Sequence, residues 1–415
     1  MLSNQTKIIV KSTAPILEKH GEALTRHFYK RMFEHNPEVG PFFNPANQAA
    51  GKQQRALAAA IVAYAANIDN LGALGQAVEL IAQKHASLLI QPEHYPIVGS
   101  NLLASIREIL GEGATEAVIN AWAEAYGFLA DILIGREREI YRESAQKPGG
   151  WQGFKSFVVL RKQAESANIT SFYLVPGDGS QLPDFKPGQY TTVRVPTDDG
   201  RTTMRNYSLS DRSGQGHFRI SVKREQGTPD GYVSNWLHDH LQEGMQVELA
   251  PPCGEFFLDV NLEATRPLVL LAAGVGITPL LGMLETALKT WPTREIVLIQ
   301  AALSEEVQAF RAHLEALAAG NPNLKLLFRY SQPATSRQAR SGRASTGLVD
   351  AALIESMVPD HDADYYFCGP QPFMVGLHQQ FGRWGVPSSQ IHFEFFGPRQ
   401  ALAESEELCP AGSAL

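Results

Sequence analysis

From Met1 to Ala145 apolar residues recur at steps of three and four, the period of a helix with one buried face. The pattern predicts helices over about Gln5–Glu18, Gly21–Glu34, Asn47–Ile68, Leu71–Leu88, Pro92–Leu110 and Thr115–Ala145. Pro92 suits a first helical turn and Gly111 a stop. Gln146-Lys147-Pro148-Gly149-Gly150 then ends the pattern with a helix breaker and two glycines, as a domain boundary does. Beyond it come short alternating segments at Lys155–Arg161, Thr170–Val175, Gln189–Val195, Arg205–Leu209, His217–Val222 and Gln246–Ala250. Turn residues such as Pro187-Gly188 and Asp198-Asp199-Gly200 separate them, which predicts an antiparallel β-barrel.

From Arg266 onward strands and helices alternate. Strands are expected at Leu268–Ala272, Glu295–Ala301, Lys325–Tyr330, Tyr365–Cys368 and Ile391–Phe396, and helices at Pro279–Leu288, Glu305–Ala319, Leu348–Met357 and Phe373–Trp384. That alternation predicts a doubly wound parallel sheet covered on both faces. The expected architecture is an all-α, globin-like or bundle-like domain over residues 1–146, a β-barrel over 151–262 and an α/β domain over 266–398. The polar, acidic residues 399–415 are expected to form a disordered tail.

Composition narrows the class. The 415 residues are 44% hydrophobic and 19% charged, as in an ordinary soluble protein of two or three domains. The net charge of -7 argues against a nucleic-acid or anionic-membrane partner. No apolar run approaches the roughly 20 residues that span a bilayer, and the polar Met1–Val10 lacks the pattern of a signal peptide. A cytoplasmic location is therefore expected. Cys253, Cys368 and Cys409 are too scattered for a disulfide framework or a zinc site. Without a C-x-x-C-H motif, any haem is held non-covalently.

Candidate chemistry begins at His85, in line with Leu71, Leu74, Val78, Ile81 and Leu88. An imidazole facing a core needs a partner on each ring nitrogen, or a metal on one. Spacing alone favours the plainer reading, a buried histidine bonded to a carbonyl. Gln53 falls in line with Leu57, Ile61, Tyr64 and Ile68; Tyr29 sits among Phe28, Met32 and Phe33; Phe42-Phe43 lies in a turn. Singly each fits ordinary packing. Together with His85 they specify a pocket with an aromatic wall, two hydrogen-bonding groups on one side and a ligand on the other, which is a haem site.

Two further segments suit phosphates and planar rings. Arg205-Asn206-Tyr207-Ser208 places a guanidinium and a phenol on one strand face, and Gly231–Leu237 reads as a glycine turn opening a short helix. Gly274-Val275-Gly276-Ile277-Thr278-Pro279 directly follows the first parallel strand, where phosphate meets a helix amino terminus. It is not the G-x-G-x-x-G fingerprint, because Pro279 stands at the third glycine's place.

Gln53-x-x-x-Leu57, Lys84-His85-Ala86-Ser87, Tyr95-Pro96-x-Val98-Gly99, Trp122, Ala125-Tyr126-Gly127, Leu129-Ala130-Asp131, Glu137 and Tyr141 resemble the globin domain of the flavohaemoglobins. Pro187-Gly188-Gln189-Tyr190, Arg205-x-Tyr207-Ser208 and Gly231–Leu237, in that order, resemble the FAD-binding barrel of the ferredoxin–NADP reductase superfamily. Gly274–Pro279, Cys368-Gly369-Pro370 and Glu394-Phe395-Phe396-Gly397-Pro398 resemble the nicotinamide domain of that superfamily. The likeness runs from about Met1 to Pro398.

The resemblance implies His85 as the ligand of a haem b iron, a hydrogen-bonded network of Tyr95 and Glu137 around it, and Phe43 on the porphyrin. It implies a distal side lined by Tyr29, Gln53 and Leu57. Lys84 is expected near the flavin-side edge of the haem, with Glu394 on the same route. Glu137 belongs to an Arg136-Glu137-Arg138-Glu139 run that by itself reads as a solvated helix face, so its role rests on the resemblance alone. For FAD the resemblance implies Arg205, Tyr207 and Ser208 on flavin and pyrophosphate, with Tyr190 near the adenine or ribityl part; the amides at Val233 and Ser234 suit a phosphate. Asn206 stands where the family commonly has Gln, and Ala273-Gly274 where it usually has two glycines. Gly274–Pro279 would take the nicotinamide nucleotide's pyrophosphate, Cys368 and Gly369 would sit near its ring, and Phe396 would pack by the flavin. The other reading of Cys368 is a buried thiol at a strand end.

The implied activity is that of a nitric oxide dioxygenase, with electrons passing from NADH or NADPH through FAD to haem, and O2 and NO leaving as nitrate. Ala301-Ala302-Leu303-Ser304 offers no arginine for a 2′-phosphate, and Glu305 and Glu306 would repel one, which leans toward NADH. Two rivals stand: reduction of lipid hydroperoxides, with a lipid among Leu57, Ile61 and Leu102, or dissimilatory reduction of other haem ligands; and an oxygen or NO carrier or sensor. No output module follows Pro398, which speaks against a sensor.

Overall fold

The two expected helices Gln5–Glu18 and Gly21–Glu34 are one, since the chain runs through Lys19, His20 and Gly21 without a break as α1 (Asn4–His35). A Cβ at Gly21 would lie 3.1 Å from Cβ of Ala58, so the glycine serves close approach of two helices rather than a stop. The computed structural model describes residues 2–43, 51–261, 265–332 and 343–396. The Ser3 side chain accepts the Thr6 N–H to cap α1, and Val10, Leu17, Leu24, Phe28 and Met32 form its buried stripe. Four more helices follow among the described residues: α2 (Lys52–Ala66), α3 (Gly75–Ser87), α4 (His94–Leu110) and α5 (Glu116–Gln146). The expected start of α2 at Asn47 lies outside them. The expected helix Leu71–Leu88 is divided, because Leu71–Leu74 winds as a separate 3-10 turn before α3.

Helices α1, α2, α4 and α5 share one core that includes Leu24, Phe28, Met32, Ile61, Ile106 and Trp122, whose indole N–H donates to the Thr13 hydroxyl at 2.9 Å. Helix α5 is long and apolar enough, by composition, to cross a membrane, where the sequence pattern led us to expect no such stretch. Its Ile119, Trp122, Ala125, Leu133 and Ile140 are buried within the protein, while its most apolar stretch as a whole is 33% buried.

The six expected strands of the barrel appear as β1 (Lys155–Ala164), β2 (Ile169–Pro176), β3 (Tyr190–Pro196), β4 (Thr202–Ser208), β5 (Phe218–Lys223) and β6 (Gln246–Leu249), with α6 (Tyr232–His240) between β5 and β6. Their order is β4-β3-β6-β1-β2-β5. The end strands meet: Leu209 bridges Ile220, and the Ser210 N–H donates to the Arg219 carbonyl at 2.8 Å. Closure removes the unpaired edges an open sheet would present.

The last region is a parallel sheet of order β10-β9-β8-β7-β11-β12, built from β7 (Leu268–Ala273), β8 (Ile296–Ala302), β9 (Leu324–Tyr330), β10 (Ala344–Thr346), β11 (Asp364–Cys368) and β12 (Ile391–Glu394). The short edge strand β10 was not foreseen, since three residues carry no period. Helices α7 (Ile277–Thr290), α8 (Arg311–Gly320), α9 (Ala351–Met357) and α10 (Gln371–Arg383) complete it. Helix α7 starts two residues before the expected Pro279, which sits in the first turn where its missing N–H costs nothing. Helix α8 starts six residues after the expected Glu305: Phe310, with φ of 64°, interrupts the chain, and Glu305 turns back to pair with Arg311 at 3.1 Å. Gly397, Pro398, the expected tail and Cys409 lie outside the described residues.

Two compact units divide the chain: residues 1–146 with 151–153 and 194–204, and the remainder, which unites most of the barrel with the parallel sheet. Within the first unit, a Cβ at Gly99 of α4 would lie 2.6 Å from the Tyr126 ring of α5. Gly99→Ala is therefore expected to force that ring aside and cost about 1–3 kcal/mol of stability by overpacking. Chemical denaturation checks it; an unchanged midpoint would show that Tyr126 gives way freely.

Candidate functional site

His85 lies in the last turn of α3, and its side chain leaves the apolar stripe to meet a carboxylate. Nδ1 is 2.8 Å from Oε1 of Glu137 and 3.0 Å from the Tyr95 hydroxyl. Tyr95 O–H donates to the same Glu137 oxygen at 2.5 Å. A carboxylate offers only lone pairs, so both neighbours donate to it and the His85 proton sits on Nδ1. Nε2 is left with its lone pair and no hydrogen bond among the described residues, on an imidazole 33% exposed. Burial, then the bond to Glu137 and its charge, push the Tyr95 phenol far above its ordinary pKa, so it remains a donor.

The surrounding backbone is pinned. The His85 carbonyl accepts from the amides of Leu88 (3.1 Å) and Ile90 (3.0 Å), while Leu89 takes a left-handed φ of 59°. Such a φ in a branched residue is a strained turn held by its neighbours. Tyr141 of α5 donates to the Ile90 carbonyl at 2.5 Å, and Tyr126 of α5 to the Tyr95 carbonyl at 2.7 Å. Outside, Arg136 of α5 grips Glu79 of α3 through Nε at 2.7 Å and Nη2 at 3.0 Å. The Arg136–Glu139 run is thus split by the helix: Glu137 is 2% exposed and inward, while Arg136 and Glu139 face outward and pair at 3.2 Å. The Arg136–Glu79 pair went unforeseen, because nothing in the chain marks two charges 57 residues apart as neighbours.

A second group gathers aromatic rings. Tyr29 is 8% exposed, with centroids 5.0 Å from Phe28, 6.0 Å from Phe33 and 5.7 Å from Phe43. Its hydroxyl has no hydrogen-bond partner among the described residues, and burial holds the phenol well above its ordinary pKa. The Phe42 ring lies tilted at 59° to that of His94, the neighbour of Tyr95, with centroids 4.8 Å apart, so this turn borders the helix that carries Tyr95. Gln53 and Leu57 lie one turn apart on α2, both half-buried, whereas the deeper amide is Gln54, 7% exposed. Lys84 is exposed on α3.

On the barrel, Arg205 and Tyr207 are half-buried on β4 and Ser208 is buried. Burial lowers the Arg205 pKa and raises that of Tyr207. Asn206 accepts from the Thr192 hydroxyl of β3 at 2.9 Å, which gives it a role inside the sheet. Tyr190, 6% exposed, lies over Gly254, where a Cβ would come within 2.9 Å of its ring. Helix α6 starts at Gly231 without a side-chain cap. The Ser234 hydroxyl is used locally, donating to the Gly231 carbonyl at 2.9 Å, so Val233 and Ser234 offer an anion their backbone amides.

The turn after β7 shows why glycine recurs there. Gly274 has φ of 55°, and a Cβ on Gly276 would lie 2.1 Å from the Cys368 carbonyl oxygen. Ala273 is extended, so it needs no glycine. Gly274–Gly276 and Cys368-Gly369 are therefore in contact at the carboxyl ends of neighbouring strands. Ile277, Thr278 and Pro279 are buried, and the Thr278 hydroxyl donates to the Val275 carbonyl at 3.0 Å, which leaves backbone amides as the ligand-facing groups. The Cys368 thiol is 0% exposed and its pKa is pushed well up by burial, then by the charge of Glu394. Any contact from Cys368 is through its backbone. Glu394 pairs with Cys368 in register on β12; Phe395 packs partly into the core, and Phe396 is 50% exposed.

Comparison with known proteins agrees with this layout. Residues 26–133 match the globin family, 156–258 the oxidoreductase FAD-binding domain and 270–379 the oxidoreductase NAD-binding domain. The flavohemoprotein of Rhodopirellula baltica is 50% identical over 97% of this chain and 99% of its own. That of Halalkalibacterium halodurans is 48% identical over 97% and 99%. Among solved structures, a flavohemoglobin from Malassezia yamatoensis with bound FAD and heme is similar over 95% of this chain and all of its own, with TM-score 0.83 and 26% identity. The flavohem-like FAD/NAD-binding domain of nitric oxide dioxygenase from Vibrio cholerae is similar over 59% of this chain and 99% of its own, with TM-score 0.53 and 36% identity. With such likeness from end to end, and a globin followed by two reductase domains, the chain belongs to the flavohemoprotein family.

Proposed function

We propose that this flavohemoprotein is a cytoplasmic nitric oxide dioxygenase that takes electrons from NADH or NADPH through FAD to a haem on His85, and turns O2 and NO into nitrate. The observation that carries the reading is the Glu137 carboxylate on His85 Nδ1 at 2.8 Å, with no hydrogen bond to Nε2 among the described residues. A carboxylate there makes an imidazole a stronger donor, which favours chemistry on oxygen over storage. When bound, FAD divides a two-electron donor into single-electron steps, and haem gives oxygen and NO a common site.

The chain's own residues fit these groups. His85 Nε2 and the buried Tyr29 hydroxyl lack hydrogen-bond partners among the described residues, and Phe33 and Phe43, 5.2 Å apart, pack on the Tyr29 ring. Tyr29, held protonated by burial, is a hydrogen donor to an anionic oxygen ligand. Arg205, Tyr207, Ser208 and the first amides of α6 suit flavin and its pyrophosphate; Gly274–Thr278 suits that of the nicotinamide nucleotide. We assign the globin part to 1–146, the flavin part to 151–262 and the nicotinamide part to 266–398. The absence of an arginine at 301–304 supports NADH, although Glu305 is occupied by Arg311. Ile61 and Leu102 are buried in the helical core, 8% and 6% exposed, which favours small diatomic substrates over an acyl chain.

The test is aerobic NO consumption by the purified protein with NADH. Rapid consumption yielding nitrate is expected; slow consumption with intact oxygen binding would instead make the protein a carrier. His85→Ala is expected to abolish haem retention, read from the Soret band. Glu137→Gln keeps the shape but weakens the push on His85: a lower iron–histidine stretching frequency is expected, with NO consumption down by about 10–100-fold. Tyr29→Phe is expected to speed oxygen dissociation from the reduced protein at least about tenfold, measured by stopped flow.

A further inference from the structure

A buried cluster of charges joins the barrel to α7, the helix that follows the Gly274–Gly276 turn. Arg219 of β5 is 6% exposed. Its guanidinium donates to the Ser210 carbonyl through Nη2 and to the Ser210 hydroxyl through Nε at 3.2 Å. Nη2 also lies 3.5 Å from Oε1 of Glu285, on α7, while the barrel's own Asp211 stands 3.9 Å from Nε. Glu285 is held from both sides. His313 of α8 meets Oε1 at 2.6 Å, and the backbone N–H of Arg212 in the barrel donates to Oε2 at 3.4 Å. Next to it the helix seats closely, since a Cβ at Gly282 would fall 2.8 Å from the Asp211 carbonyl.

A buried guanidinium is tolerable only when its charge is met. Burial by itself lowers the Arg219 pKa, and the charges of Asp211 and Glu285 more than offset it, so the net shift is upward. Asp211 at 3.9 Å and Glu285 at 3.5 Å share the Arg219 charge, so the seat of α7 on the barrel supplies one of its two carboxylates. Glu285 stands eight residues beyond Ile277, about 12 Å along a rigid helix from the turn that faces the nucleotide. Nothing in the binding of flavin or nucleotide by the residues already named uses Arg219 or Glu285.

Resting on the function proposed above, we propose that Arg219 and Glu285 are a positioning pair: they fix the nucleotide-bearing end of α7 against the flavin barrel and thereby set the rate of hydride transfer, not the affinity for either cofactor. In that step NADH gives a hydride, two electrons with one proton, to FAD and leaves as NAD+. A hydride moves only between atoms already near contact, and an error of about 1 Å costs up to about a hundredfold in rate. A pair that holds the two carriers' supports in register therefore acts on the transfer itself.

The test uses full-length protein loaded with haem and FAD, and two variants. Glu285→Gln keeps the shape and an acceptor for the Arg212 N–H but removes the charge; His313→Gln loosens Glu285 from the outer, more exposed side. In anaerobic stopped flow with NADH, the limiting rate of flavin reduction is expected to fall about tenfold or more in Glu285→Gln and less in His313→Gln. The deuterium isotope effect with NADH labelled at C4 should stay the same or rise. FAD content, the apparent Kd for NADH and the rate of haem reduction after photoreduction of the flavin should remain within about twofold. Hydrogen exchange over residues 277–290 should quicken. A flavin-reduction rate within twofold of the parent in Glu285→Gln overturns the proposal. So does loss of FAD, or equal slowing of both transfers in both variants, because the pair would then merely hold the fold. A parent protein that NADH cannot reduce at all would instead sink the functional reading.

Discussion

One oxygen atom, Oε1 of Glu137, organises the helical domain: it accepts from His85 at 2.8 Å and from Tyr95 at 2.5 Å, and Glu137 itself is only 2% exposed. A carboxylate so deeply buried is costly unless its lone pairs are met. Here they are met by the two side chains whose orientation the site requires. The imidazole thus cannot turn without leaving the carboxylate unsatisfied, and the phenol cannot withdraw without the same penalty. The arrangement also decides which nitrogen keeps the proton, and so which is free to bind a metal.

Three helices have to agree for this to hold. His85 comes from α3, Tyr95 from α4 and Glu137 from α5, and each is tied again nearby. The Arg136–Glu79 fork holds α3 to α5, Tyr126 holds α5 to α4 beside Gly99, and Tyr141 fastens the turn that follows His85. Half-exposed ion pairs contribute little energy by themselves, so the fork matters for alignment more than for stability. The buried phenols matter for both.

The reductase half follows a different logic. Its candidate ligand sites use backbone more than side chain: the first turns of α6 and α7, and a glycine turn pressed on the Cys368 carbonyl. Such sites need few special residues but close control of how elements meet. That control comes from barrel closure at Leu209 and Ile220, from the double-sided burial of β7 and β8, and from the charged seat of α7 on the barrel.

By itself the sequence determined the fold class, most of the elements and the types of chemistry, because those depend on local period, turn residues and short motifs. The 3.6 period of the first 145 residues, the alternation of the barrel strands and the glycine turn after Ala273 are all written in near neighbours. Tertiary structure alone decided that one helix runs unbroken through Lys19 and His20, that Glu137 turns inward from a run of charges, that the Cys368 thiol is sealed in the core, and that Arg219 shares its charge between Asp211 and the distant Glu285. Each of those turns on a partner far along the chain. A residue's neighbours in sequence set its backbone, but whether a charge or a thiol meets water, a core or an opposite charge is settled only when distant segments pack against it.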